Sequence, residues 1–344
     1  MALAEETLAL VDIPSESGSE QAVYRYLRET LPLERAYDDG ESLIVAKRRG
    51  RPLVLLAGHT DTVPAQGNLP GRIEDGHVVG LGASDMKGGL AVMVELARFA
   101  AGAELAFDLA LLFFPREEIG PEHNPLPGVF EHTDVVDEAR LVICLEPTDN
   151  TLQLGCLGNL NAHVVYEGRS AHSARPWTGV NAIALALEGL TPVLRGEPRD
   201  AIVEGLLFRE VMTVTELHAG VASNVVPGRA EATVNFRYAP DRSPASAEAL
   251  VHELLPGAVI RSHSPPAHVP VDSPLLDSLR AAGDFEVQPK QAWTNVADFA
   301  ARGLDAVNLG PGATRYAHAV DERVEIRELQ RTFDVLQRFL LGVA

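Results

Sequence analysis

Cysteine is scarce in this chain: Cys144 and Cys156 are the only two among 344 residues. Two thiols cannot build a disulfide framework, so the fold must rest on its core, and a reducing, cytoplasmic setting is expected. Long apolar runs are also missing. No stretch approaches the ~20 uninterrupted apolar residues of a membrane helix, and the first residues, MALAEETLALVDIPS, lack the basic start and long apolar segment of a secretory leader. Basic residues are few, with 29 Lys and Arg against 48 Asp and Glu and a formal net charge of −19. Such an acidic body repels a phosphate backbone, which excludes nucleic acid as a partner and leaves metal ions and small zwitterions. The fragment GLGASDMKGG has neither the spacing of a dinucleotide fingerprint nor the Gly-Lys-Ser/Thr end of a phosphate loop.

What is present is ample core material: 46% hydrophobic residues with 22% charged, in a length that suits two domains. PLVLLAG (52–58), FDLALLFFP (107–115) and LVICLEP (141–147) read as strands buried on both faces. The segment 86–102 reads as a helix between the first two, giving a strand–helix–strand unit of the parallel-sheet kind. Residues 18–31 read as a surface helix behind Ser17 and Ser19 as possible caps.

From 159 to 268 the texture changes to alternating segments suited to a sheet with one wet face. Strands at 159–168, 211–218, 229–240 and 258–263, with helices at 179–194 and 243–255, the latter capped by Ser243, make the order β-α-β-β-α-β of a ferredoxin-like unit. A proline-rich stretch (263–274) then leads to a strand at 304–310 and a helical segment at 324–343. The expected architecture is α/β: a mixed, mostly parallel sheet with helices on both faces, formed by 1–158 and 269–344. It is interrupted by a ferredoxin-like α+β domain at 159–268.

Polar residues gather where strands end. His59 and Asp61 follow one buried strand, Glu117 and Glu118 a second, and Glu146 ends a third, while Asp85 precedes a helix. The carboxyl ends of parallel strands form the ligand crevice of such sheets, so these groups can converge. Histidine and carboxylate without cysteine suit zinc or a similar divalent ion, and a bridging carboxylate can hold two such ions ~3.5–4 Å apart. Asp61, two residues past His59, is placed to accept the other ring N–H. His77, His123, His132, His252, His263 and His268 have no such setting and read as solvent-facing.

With GHTDTVP, GLGASDMKGGLA, the pair Glu117–Glu118, Glu146 and a late AH at 317–318, the chain resembles the co-catalytic zinc hydrolases that include acetylornithine deacetylase, aminoacylases and glutamate carboxypeptidase. That resemblance covers nearly the whole chain and implies a homodimer, assembled through the inserted domain, with two Zn2+ per chain that Co2+ or Mn2+ could replace. It implies that His59 and Glu146 bind one ion, Glu118 and His318 the other, and Asp85 both, with a cis bond after Asp85. Glu117 would be the general base, Asp61 would orient His59, and His172 would reach the partner's site to polarise the scissile carbonyl.

LGCLGNLNAHVVYEGRSAHSARPWTGVNAI, SNVVPGRAEATVNFRYAPDRSP and QAWTNVADFAARGLDAVNLGPG look like the actinobacterial-type succinyl-diaminopimelate desuccinylases within that family. On this likeness Arg237 would clamp a substrate carboxylate and Asn224 would bond near the reacting centre. Thr294 and Gly312 would line the pocket. The implied reaction is hydrolysis of N-succinyl-LL-2,6-diaminopimelate to succinate and LL-2,6-diaminopimelate, with another N-acyl amino acid, such as N-acetylornithine or N-acetyl-lysine, as the alternative substrate. A catalytically silent metal-binding or peptide-binding relative would lack a ligand or the base, and every such position is filled. Arg116 and Asn295 depart from the family pattern and leave the pocket, not the ligands, in question.

Overall fold

The computed structural model describes residues 2–343, and its contacts divide them into two compact units. The first contains residues up to Leu154, Pro270–Gln288 and the residues from Asp298 on; the second contains Gly155–Val269 and Pro289–Ala297.

In the first unit the apolar runs form the centre of a mixed sheet, because side chains buried on both faces need helices or other layers on either side. The strand order is Glu34–Asp38, Leu43–Lys47, Asp108–Phe114, Leu53–His59, Ala139–Cys144, Ala306–Asn308, and then Leu152–Cys156 and Val287–Lys290, through which the chain leaves this unit. The three pairings among Asp108–Phe114, Leu53–His59, Ala139–Cys144 and Ala306–Asn308 are parallel; those nearer the Glu34–Asp38 edge are antiparallel. Leu53–His59 and Asp108–Phe114 are buried at every position.

Register sets the site. His59 lies opposite Phe114, and Ala57 opposite Cys144, so three parallel strands finish level with one another. The residues that follow them therefore meet at one end of the sheet. The helix Gly88–Gly102 packs on the two longest central strands, and Ala2–Val11 and Ile326–Leu341 pack on that helix in turn.

The second unit is an antiparallel sheet in the order Arg199–Val203, Leu206–Ala219, Arg229–Tyr238, Gly158–Glu167, Val259–Ser264. Apart from the first, hairpin strand, that is the strand order of the β-α-β-β-α-β motif. Alternate residues Leu160, Ala162, Val164, Val234 and Phe236 point into one core with the helices Ala182–Gly189 and Pro244–Leu254. The intervening Asn159, Asn161, Asn235 and Arg237 occupy the other face, as the period of two requires.

Several expectations change. Pro289–Ala297, assigned by sequence to the larger domain, clusters with the smaller one. Gln291 exchanges two hydrogen bonds with the backbone of Arg209 (3.2 and 2.6 Å), and Ala292 O accepts from Leu157 N at 3.2 Å. The helix expected at 179–194 is shorter: Asn181 caps Ala182–Gly189 and a separate turn follows at Thr191–Leu194, where Pro192 lacks an N–H to continue the ladder. The first surface helix is Gln21–Thr30, and neither Ser17 nor Ser19 caps it. His263 is not solvent-facing: it bonds Tyr238 Oη at 2.7 Å and Glu248 at 2.8 Å. Ser243 caps Pro244–Leu254 as expected, accepting from Ser246 N at 3.2 Å.

Candidate metal centre

His59 is the last residue of its strand and is 1% exposed. Its Nε2 lies 3.1 Å from Asp85 Oδ1 and 4.0 Å from Glu146 Oε1. Its Nδ1 is nearest the backbone oxygen of Asp61, at 3.1 Å, with the Asp61 carboxylate at 3.5 Å. The ring is thus held mainly by the backbone of Asp61, where the sequence suggested its side chain.

The Asp61 carboxylate also has other partners. It accepts the backbone N–H groups of Glu117 at 3.0 Å and Glu118 at 3.1 Å, and the Ser17 hydroxyl at 2.6 Å. Adjacent residues of an extended strand would point to opposite faces. Here the strand stops at Phe114, Arg116 takes a left-handed backbone (φ 62°), and the turn sends both N–H groups to one acceptor. Arg116 itself reaches Glu41 Oε2 at 2.7 Å.

Asp85 precedes a cis peptide bond to Met86 at the start of the Gly88–Gly102 helix. Its Oδ2 is 3.7 Å from His318 Nε2, which is also 2.9 Å from Glu118 Oε2. Two triads therefore stand side by side, His59–Asp85–Glu146 and Asp85–Glu118–His318, each with ligand atoms within 4.8 Å of one another. Asp85 belongs to both. A third grouping, His59–Glu117–Glu118, meets the same limit.

The electrostatics fit cations. Burial pushes Glu117 well above the ordinary carboxylate range, and the charges of Glu146, Glu118 and Asp85 add to the shift while His59 opposes it. Four carboxylates crowded beside two imidazoles repel one another unless positive charge is added. Burial disfavours a charged His59, yet hydrogen bonds to Asp61 and Asp85 outweigh it and raise its pKa. The hydrogen bond to Glu118 holds His318 up at about 9. Oxygen and imidazole donors of this kind suit zinc and other borderline divalent ions.

Gly310 and Gly312 bring a further loop against the site. A Cβ on Gly310 would lie 2.4 Å from Leu145 O, and one on Gly312 would lie 2.6 Å from Ser84 Oγ, with φ +83° as a second bar to any side chain. Gly312 N donates to Glu328 Oε2 at 3.2 Å.

The other expected residues lie in the second unit. His172 is exposed, paired opposite Val225, and its Nδ1 accepts from Ala174 N at 3.1 Å, which leaves the ring proton on Nε2. Asn224 neighbours it, its carbonyl accepting from Ser173 N at 2.9 Å. Arg237 is half-buried and donates through Nε to Asn235 Oδ1 at 3.0 Å. Burial lowers its pKa. Thr294 is buried. Sequence reasoning missed Ser17, read as a helix cap, and Glu322, whose contacts depend on long-range folding.

Residues 55–342 match peptidase family M20/M25/M40. A putative succinyl-diaminopimelate desuccinylase DapE from Mycobacterium tuberculosis is 37% identical over 347 residues, covering 98% of each chain. A succinyl-diaminopimelate desuccinylase from Corynebacterium glutamicum is 33% identical, over 97% of this chain and 95% of that one. A tripeptidase from Staphylococcus aureus has the same fold, with a TM-score of 0.79 at 20% identity over 98% and 97% of the two chains. A fold with paired ligand triads sharing Asp85, matched over this much of its length, places the chain in peptidase family M20/M25/M40.

Proposed function

We propose that this chain is a di-zinc amidohydrolase that cleaves the N-succinyl amide of N-succinyl-LL-2,6-diaminopimelate, releasing succinate and LL-2,6-diaminopimelate. The observation that carries the reading is Asp85 standing between two histidine–carboxylate triads. His59 and Glu146 would hold one ion, Glu118 and His318 the other, and Asp85 both. Paired ions bound there supply Lewis acidity, bringing the ionisation of water into the neutral range and favouring negative charge on a carbonyl oxygen.

The chain's own groups do the rest. Glu117, beside the candidate ligands, takes the proton of the attacking water and returns it to the departing amine. His172 donates its Nε2–H to the scissile carbonyl oxygen as negative charge develops there. The forked donors of Arg237, which beyond Nε meet no acceptor among the described residues, grip a substrate carboxylate. Asn224, Thr294 and Gly312 would each add a contact to the substrate.

The working species is a homodimer joined through the second unit. The helix Ala182–Gly189 turns Ile183 and Leu187 outward, beside Trp177 (77% exposed), Val180 and Leu194 (58% exposed). That apolar face is suited to burial against a second copy. Along Val211–Ala219 the outer strand edge carries no partner strand among the described residues, another place for pairing. We place the enzyme in the cytoplasm, consistent with two buried cysteines that form no disulfide and with the absence, among the described residues, of a helix long and apolar enough to cross a membrane.

The test is hydrolysis of succinyl-diaminopimelate, N-acetylornithine and N-acetyl-lysine by protein loaded with zinc, cobalt or manganese. Preference for the succinyl substrate is expected; preference for an acetyl substrate would move the assignment to another deacylase. Glu117→Ala should abolish turnover at unchanged metal content, and loss of metal instead would mean that Glu117 and Glu118 have exchanged roles.

A further inference from the structure

We propose that Glu322 is a positioning residue for the shared ligand Asp85, holding the loop that presents it from behind and tying that loop to the segment that carries His318. Its side chain is 1% exposed. Oε1 accepts the backbone N–H of Ser84 at 3.1 Å and of Asp85 at 2.9 Å, and Oε2 accepts that of Gly82 at 2.8 Å. Its backbone oxygen takes a fourth, from Gly80 N at 3.0 Å.

Three N–H groups converge on one carboxyl group as in the concave nests of backbone amides that bind acceptors, and here the chain supplies the acceptor itself. The left-handed φ of 76° at Gly82 opens that nest, and a Cβ there would lie 2.7 Å from Thr62 Cγ2. Three backbone N–H groups within 2.8–3.1 Å of one buried side chain are fixed by it, so the direction of the Asp85 backbone, and with it of its carboxylate, is set by Glu322.

His318 stands four residues earlier in the same segment, and Glu322 N bonds back to Ala319 O at 3.1 Å. One end of this short segment thus provides a ligand of the Asp85–Glu118–His318 triad while the other end orients the ligand common to both triads. Asp61 does the equivalent service for Glu117 and Glu118 from the opposite side. Two buried carboxylates that take no place in any ligand triad therefore fix the loops of three acids that do.

The inference rests on the metal-centre reading, and the experiment separates the two. Zinc is titrated calorimetrically into chelator-stripped full-length wild type, Glu322→Gln, Glu322→Asp and the exposed control Asp321→Asn, with thermal midpoints measured for each before loading. In Glu322→Gln one oxygen becomes an NH2 that cannot accept from Gly82 N, and in Glu322→Asp the carboxylate is withdrawn by one methylene. Loss of such a supporting partner lowers metal affinity by about 10–100-fold, whereas Asp321→Asn should match wild type. Cobalt-loaded Glu322→Gln should also show weaker magnetic coupling between its two ions, a signature a purely structural role would not move. Wild-type zinc affinity in a folded Glu322 variant overturns the inference alone. Wild type binding fewer than two ions overturns the metal-centre reading and the inference with it. If both Glu322 variants fail to fold, the residue serves the fold and the inference falls.

Discussion

Replacing Asp61 by Asn tests how the Glu117–Glu118 turn is held. The wild-type carboxylate is 1% exposed and accepts three hydrogen bonds of 2.6–3.1 Å from Ser17 Oγ and the two glutamate N–H groups. Burial works against its charge, but the His59 ring, Ser17 and Glu118 N outweigh burial and hold its pKa at about 2. Set against an unfolded value near 3.9, that depression corresponds to about 2 kcal/mol of stability. The folded pKa is the lower one, so the contribution is complete above about pH 4 and is lost as pH falls through about 2. Asparagine keeps one acceptor oxygen and turns an NH2 towards a buried N–H, so a loss of about 2–3 kcal/mol is expected. In a protein of this size that lowers the melting midpoint by roughly 3–4 °C. The assay is thermal unfolding of chelator-treated wild type and Asp61→Asn at several pH values. A drop smaller than about 2 °C at neutral pH would refute the argument, as would a gap that closes well above about pH 4.

His172→Ala should lower kcat by about 10²–10³-fold with metal content and melting midpoint unchanged, and near wild-type kcat would remove it from the reaction. Mixing inactive Glu117→Ala and His172→Ala chains should restore part of the activity if His172 acts across a dimer, and an inactive mixture would confine it to its own chain. Arg237→Lys should raise KM by more than it lowers kcat, because a point charge replaces a fork; an unchanged KM for succinyl-diaminopimelate would deny the contact. Burial pushes Lys87 down to about 8, its Nζ bonded to Ile13 O at 2.7 Å. Here a cation's folded pKa lies below its unfolded value, so stability should rise as pH climbs from about 8 towards 10.4. Urea unfolding of wild type should show a gain about 2 kcal/mol larger between about pH 7.5 and 10 than Lys87→Met, and equal gains would refute the burial argument.

Most of the candidate site was legible because the clues to it are local. An apolar run announces a buried strand, and a polar residue just beyond it announces the strand's open end; His59, Glu117, Glu118 and Glu146 all stand so. Asp85 follows no such strand and was singled out by its place before a helix, while His318 came from the resemblance alone. The smaller unit was legible from its alternation, visible in the buried and half-buried sequence of Arg229–Tyr238. The Ser17 hydroxyl on Asp61 was not legible, since serine ahead of a helix suits a cap equally well.

Residue type and position along the chain thus determined by themselves which side chains can bind cations and which strands carry them. Tertiary structure alone decided that the Asp61 side chain accepts from the backbone of the glutamate turn as well as facing His59, and that Pro289–Ala297 joins the smaller unit. It also decided that Glu322 lies under Asp85. The physical reason is separation: periodicity speaks for a few residues at a time, whereas the hydrogen bond from Gly82 N to Glu322 spans 240 positions and exists only once the chain has folded.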